Sequence, residues 1–137
     1  VSLRAVAERV RRAPDLEGVR VAAGEWPDVQ GDAPLLELAL GHLLRNAGEA
    51  TAPGAPSPEV SAARADGDVV VAVRDWGGGL PTSNPKLLVR LLHSKKAGHR
   101  GVGLVTVERV ARLHGGTLAF EVLSDGARVT LRLPAAS

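Results

Sequence analysis

His42-Leu43-Leu44-Arg45-Asn46-Ala47-Gly48-Glu49-Ala50-Thr51 is the stretch on which the fold turns, because one helix here carries two different messages. At about 100° per residue, Leu36, Leu40, Leu43, Leu44 and Ala47 share a face suited to a core. His42, Asn46 and Glu49 fall together on a second, polar face able to coordinate or hydrogen-bond. The spacing predicts a helix over Pro34 to Ala52. Asp32 is placed to cap its start and Pro34 stands in the first turn, where a missing N–H costs nothing. Asn is a poor residue in the middle of a helix, so Asn46 needs a reason to be there.

Working outward, two further stretches follow in order. Asp75-Trp76-Gly77-Gly78-Gly79-Leu80-Pro81 succeeds the β-branched run Val69-Val70-Val71-Ala72-Val73, which reads as a strand covered on at least one face. Asp75 thus sits at a strand end, where its carboxylate can accept a hydrogen bond from an exocyclic amine. The glycines after it let the backbone turn and approach a planar base closely. Taken alone, the same residues are an ordinary turn. Arg100-Gly101-Val102-Gly103-Leu104 opens a helix read as Val102 to His114, and N–H groups at a helix start attract anions. No Lys stands after the last glycine as a phosphate loop would require, and the spacing is not that of a dinucleotide site.

The remaining elements are shorter. Ser2 to Arg12 has helical apolar spacing (Leu3, Val6, Ala7, Val10), with Ser2 as cap and Pro14 as stop. Val19 to Ala23 is a strand candidate. Glu59 to Arg64 pairs with Val69 to Asp75 around Ala65-Asp66-Gly67-Asp68. Gly77 to Gly101 reads as irregular, with Leu87 to Leu92 as a short helical segment. Gly115-Gly116 ends the last helix. Thr117 to Leu123 and Ala127 to Leu133 form a final hairpin around Ser124-Asp125-Gly126. The expected product is a mixed sheet with three helices on one face, a two-layer α/β sandwich.

Composition narrows the function. The chain has 137 residues, 45% of them apolar, with two Trp, one Phe and no Tyr, so a single domain with a core of Leu, Val and Ala is expected. Without Cys or Met there are no disulfides or thiolate metal sites. A net charge of +2 on scattered basic residues does not suggest nucleic acid, and no apolar run is long enough to span a membrane. The chain opens at Val1 and reads as a fragment.

In their order and spacing, the three stretches resemble the Asn box and two Gly boxes of the GHKL superfamily, whose ATP-binding domains have the Bergerat α+β fold with an ATP lid. His114-Gly115-Gly116-Thr117-Leu118 is similar to the sensor histidine kinase branch. Ser94-Lys95-Lys96 together with Arg100 to Leu104 resembles citrate and dicarboxylate sensor kinases. The resemblance implies ATP and Mg²⁺ as cofactors, with Asn46 the metal ligand and Glu49 an outer partner bonding water. Asp75 would bind the adenine amino group, beside Gly77, Gly79 and Leu80. Lys96, with Lys95 second, would meet the phosphates next to Gly98, Gly101, Val102, Gly103 and Leu104, and Ala50 belongs to the Asn box. His42 stands where relatives carry Asn or Glu. It can orient water or phosphate, act as a base, or serve as a polar spacer. Trp76 is unusual at its position and reads as a cap on the core in preference to a nucleotide flank. Val89 occupies the place of the family's lid-anchoring Phe, and the lid, Leu80 to Gly98, is short.

Four histidines occur, His42, His93, His99 and His114, and none precedes an Asp or Glu as in the common phosphoacceptor motif. The resemblance therefore implies a cytoplasmic catalytic domain that binds Mg-ATP and does not phosphorylate itself. It would serve a histidine on a separate dimerisation domain of the same kinase, with a response regulator downstream and no membrane contact of its own. As a fragment it is expected to be monomeric. Two other readings use the same boxes: a nucleotide-sensing or scaffolding module without phosphotransfer, and an anti-sigma-type Ser kinase.

Overall fold

The computed structural model describes residues 1–16, 18–24, 26–51, 54–76 and 99–136, with the backbone alone for 99–104 and 122. The first helix, α1 (Leu3–Val10), begins as the sequence predicts. The Ser2 hydroxyl accepts from the Ala5 N–H, and Leu3, Val6 and Ala7 are buried. A 3-10 turn at Pro14–Leu16 leads to the short strand β1 (Arg20–Val21). β1 is shorter than the Val19 to Ala23 run because it pairs on one side only, with Glu59 and Val60.

Helix α2 (Ala33–Ala50) is capped by Asp32, whose Oδ1 accepts from the Leu35 N–H at 3.1 Å. Its buried side is Leu36, Ala39, Leu40, Leu43, Leu44 and Ala47, the expected stripe. The helix ends at Ala50, two residues short of the prediction. Thr51 is extended and its hydroxyl donates to the Ala47 carbonyl at 2.7 Å, which satisfies part of the helix end.

Strands β2 (Glu59–Ala65) and β3 (Asp68–Asp75) form a hairpin longer than expected. Asp66 and Gly67 both take positive φ, so a two-residue turn suffices and Ala65 pairs with Asp68. Helix α3 (His99–Leu113) follows, then β4 (Thr117–Leu123) and β5 (Gly126–Pro134). The sheet order is β1-β2-β3-β5-β4, parallel between β1 and β2 and antiparallel elsewhere. The helices cover one face, so the described residues form the two-layer α+β sandwich of the Bergerat fold. The predicted lid from Leu80 to Gly98, the segment Leu87 to Leu92 and Val89 lie outside the described residues.

The core is aliphatic. Leu3, Leu16, Leu36, Leu40, Leu43 and Leu44 meet Val60, Val69, Val71, Leu131 and Leu133 of the sheet, and Val107, Val110 and Ala111 of α3. Each such leucine or valine contributes about 1.5–3 kcal/mol by leaving water. Alternation along β3 buries Val69, Val71, Val73 and Asp75 on the helix side and turns Ala72 and Arg74 to the other.

His114 and the glycines beside it have structural work. The ring Nδ1 lies 2.8 Å from the Val110 carbonyl oxygen, which makes it the donor, and Nε2 accepts from the Asp32 N–H at 3.0 Å. The end of α3 is thereby tied to the start of α2. Gly31 leaves room for the ring, since a Cβ there would lie 2.6 Å from His114 Cδ2. Gly116 runs closer still, with a Cβ meeting the Arg132 carbonyl oxygen at 2.0 Å. Gly116→Ala is expected to cost about 2–3 kcal/mol, since a backbone atom cannot give way as a side chain can. A fall in the urea midpoint at unchanged slope would register it.

The two ends of the described chain meet at Val29. The Val1 nitrogen donates to the Val29 carbonyl at 2.9 Å, the Val29 N–H donates back to the Val1 carbonyl, and Val29 also bridges to Ala135.

Candidate functional site

The polar residues of α2 sit on the helix as the spacing requires, one turn apart. Asn46 is half-buried, and its side-chain Nδ2 is wholly shielded and has no hydrogen-bond partner. A buried, unsatisfied amide is costly, on the order of 1–3 kcal/mol, so such a group in a native fold calls for an explanation. Amide nitrogen and oxygen exchange places by a simple flip, so this position can equally present a hard oxygen. Glu49 is exposed and Ala50, the last helical residue, is half-buried.

His42 is also half-buried. Burial, and then the nearby Arg45 guanidinium, hold its imidazole below the ordinary value of 6.5. It is therefore neutral near pH 7 and able to accept a proton or a hydrogen bond. Because the folded state disfavours the charged ring, its penalty is absent above pH 6.5 and grows as pH falls below that value. The stability of the wild type should decline on acidification through this window, and His42→Asn should flatten that part of the curve. Denaturant midpoints taken at pH 7.5 and pH 5 on both proteins test it; parallel curves would remove His42 as the cause.

Asp75 closes β3 on the helix-covered side and is the buried charged residue of the described core, 7% exposed. α2 packs on β3, so Asn46 and Asp75 stand on elements in direct contact. The β4–β5 turn presses on the strand end: a Cβ at Gly126 would lie 2.1 Å from the Asp75 carbonyl oxygen.

Trp76 departs from expectation. It does not join the residues packed on the core. Two guanidiniums lie over its ring instead, Arg74 at 4.5 Å and Arg20 at 5.1 Å from the centroid. Cation–π attraction to charges from β3 and β1 holds the indole at the sheet margin. Neither partner was legible in the sequence; a Trp directly after a strand-end Asp, with Arg on its other side, is the trace it leaves.

The second Gly box also differs in detail. His99, Arg100 and Gly101 are already helical, so the Gly101 to Leu104 backbone lies within the first turns of α3 and does not precede it. Helix-opening residues need no partner for their own N–H groups, which makes glycine tolerable there. Those orphan N–H groups are an anion site in principle. Gly77, Gly79, Leu80, Lys95, Lys96 and Gly98, with His93, lie outside the described residues. Among the described residues no group of three or more His, Cys, Asp or Glu could hold a metal, and no helix is long and apolar enough to cross a membrane.

Residues 31–137 match the family described as histidine kinase-, DNA gyrase B- and HSP90-like ATPase. Sensor protein DivL of Caulobacter vibrioides is 34% identical over 93% of this chain, which spans 17% of that protein. The C4-dicarboxylate transport sensor protein DctS of Rhodobacter capsulatus is 33% identical over 81% of the chain, which spans 18% of it. The crystal structure of the ATP binding domain of PrrB from Mycobacterium tuberculosis superposes with a TM-score of 0.71 at 30% identity, covering 100% of this chain and 96% of that one. The chain belongs to the histidine kinase-, gyrase B- and HSP90-like ATPase family, on the side of the bacterial sensor histidine kinases. It spans less than a third of the length of the curated relatives it matches.

Proposed function

We propose that residues 1–137 are one ATP-binding catalytic domain which, within a longer cytoplasmic or membrane-anchored sensor kinase, presents the γ-phosphate of Mg-ATP to a histidine on a separate dimerisation domain. The observation that carries the reading is the shielded, unpartnered side-chain amide of Asn46 on the helix that packs on the strand of Asp75. An amide oxygen is a hard, neutral ligand. A single protein ligand suits Mg²⁺, which keeps waters and bridges substrate phosphates, so the residues fit that ion better than one needing a closed protein cage. When bound, the ion would neutralise phosphate charge.

The chain's own residues do the rest. Asp75 accepts from the adenine amine. His42, neutral, orients water or a phosphate oxygen, and Glu49 holds a water of the outer shell. The α3 N-terminus, with Gly101 in its first turn, offers N–H groups to phosphate, Gly103 lies one turn inside it, and Lys96 and Lys95 add charge. His114 is no phosphoacceptor in this reading, since both ring nitrogens are engaged. The chain alone therefore binds nucleotide as a monomer without phosphorylating itself, and a response regulator takes the phosphoryl group from the partner histidine. The kinship with dicarboxylate sensors rests on Ser94-Lys95-Lys96 and Arg100 to Leu104, since sensors of other kinds match the chain as well.

Calorimetric titration of the chain with ATP and GTP, each with and without Mg²⁺, tests the reading. Saturable, adenine-selective, Mg²⁺-sensitive binding supports it. Absence of binding would leave the family standing and make a scaffolding role the better account.

A further inference from the structure

Asp75 is the last residue of β3, and its backbone is laddered on one side only. It pairs with Ala127 of β5, whereas β2 begins opposite Arg74. A strand end held on one side frays, yet a carboxylate that selects one base needs its position fixed to about half an ångström. The neighbouring guanidinium supplies a restraint from the other side of the sheet. Arg74 points to the open side of the sheet, where its register partners are Glu59 and Arg128, the latter occupied by Glu121 at 2.9 Å. The Arg74 side chain is only 16% exposed. Its Nη1 donates to the Asp75 carbonyl, its Nη2 donates to Asp125 Oδ1 at 2.5 Å in the β4–β5 turn, and its Cζ lies over the Trp76 ring, 4.5 Å from the centroid. One group thus grips the carbonyl of Asp75, the turn behind it and the residue after it. The absence of a side chain at Gly126 is what admits this grip, because a Cβ there would meet Arg74 Nη1 at 2.8 Å.

We propose that Arg74 is a positioning residue for nucleotide recognition: through its clamp on the Asp75 carbonyl, Asp125 and Trp76, it sets where the Asp75 carboxylate stands. The proposal rests on the adenine-recognition reading of Asp75. It assigns the base selectivity of the site to a contact made on the opposite side of the sheet from the carboxylate. Lysine does not replace arginine here, since an ammonium can pair with Asp125 but can neither fork to a second acceptor nor stack.

The test is a double-mutant cycle on the full 137-residue chain, reading ATP and GTP affinities by calorimetry for the wild type, Arg74→Ala, Asp75→Asn and the pair. Arg74→Ala is expected to weaken ATP about tenfold and GTP less than twofold, and Arg74→Lys to weaken ATP about threefold. In the Asp75→Asn background, Arg74→Ala should cost less than a further twofold, since the carboxylate it positions is gone. Wild-type ATP affinity in Arg74→Ala, beside a weakened Asp75→Asn, overturns the positioning role and leaves the adenine reading intact. So does a loss that adds in full to that of Asp75→Asn, or falls equally on GTP, because a merely structural residue behaves so. An Asp75→Asn protein that binds ATP as the wild type does overturns both. Should Arg74→Ala not fold, Arg74→Lys carries the same comparison, and wild-type affinity and selectivity there overturn the proposal.

Discussion

Asp75→Asn is expected to weaken ATP binding by ten- to a hundredfold and to remove most of the preference for adenine over guanine. The size follows from the chemistry of one contact. A carboxylate accepting from an exocyclic amine makes a charge-assisted hydrogen bond worth about 1.5–3 kcal/mol, and Asp75 is shielded from competing water. Guanine turns a carbonyl to the same place, and a carboxylate repels it. The amide of Asn turns either its oxygen or its N–H outward, so it accepts from adenine less strongly and donates to guanine. ATP therefore loses affinity while GTP gains or holds. The substitution keeps the shape of the side chain, so the melting temperature should move little. Titration with both nucleotides measures the outcome, and an unchanged ratio of the two affinities would sink the adenine assignment.

The second large effect is expected from Asn46→Ala. In the wild type Mg²⁺ is expected to strengthen ATP binding; in the variant the titration curves with Mg²⁺ and with EDTA should coincide. Removal of the amide also removes a buried group without a partner, so the variant should be no less stable than the wild type, apart from the small loss of packed volume. That combination, an intact or firmer fold with a lost ion dependence, separates a ligand from a structural Asn. In a full-length kinase of the proposed kind, phosphotransfer should fall at least about a hundredfold. Mg²⁺ sensitivity persisting undiminished in the variant would place the ion elsewhere.

What could be read beforehand was whatever repeats along a single element. The stripe Leu36, Leu40, Leu43, Leu44 and Ala47 announced α2 and its buried side, and the Val69 to Val73 run announced the central strand. Asp32 and Ser2 marked helix starts because a cap acts on N–H groups only three residues away. Less legible was whatever depends on two distant segments arriving together. His114 reaching the Asp32 N–H spans 82 residues, and nothing near either residue signals the other. Trp76 looked like a core residue because indoles are mostly apolar. Only the register that sets Arg20 opposite Glu59, and Glu59 opposite Arg74, brings two cations to its ring. The boxes themselves were visible as words, but the side of the sheet on which each side chain stands had to await the pairing of the strands.

The meeting of the two ends at Val29 has a mechanical side. Tension applied between them enters the molecule through the few hydrogen bonds joining Val1, Val29, Ala135 and their neighbours. Those bonds are loaded pair by pair, like a seam being unpicked. The long ladder between β3 and β5 begins one residue inside that seam, at Pro134. Opposed pulls on the two ends are thus expected to load that seam first.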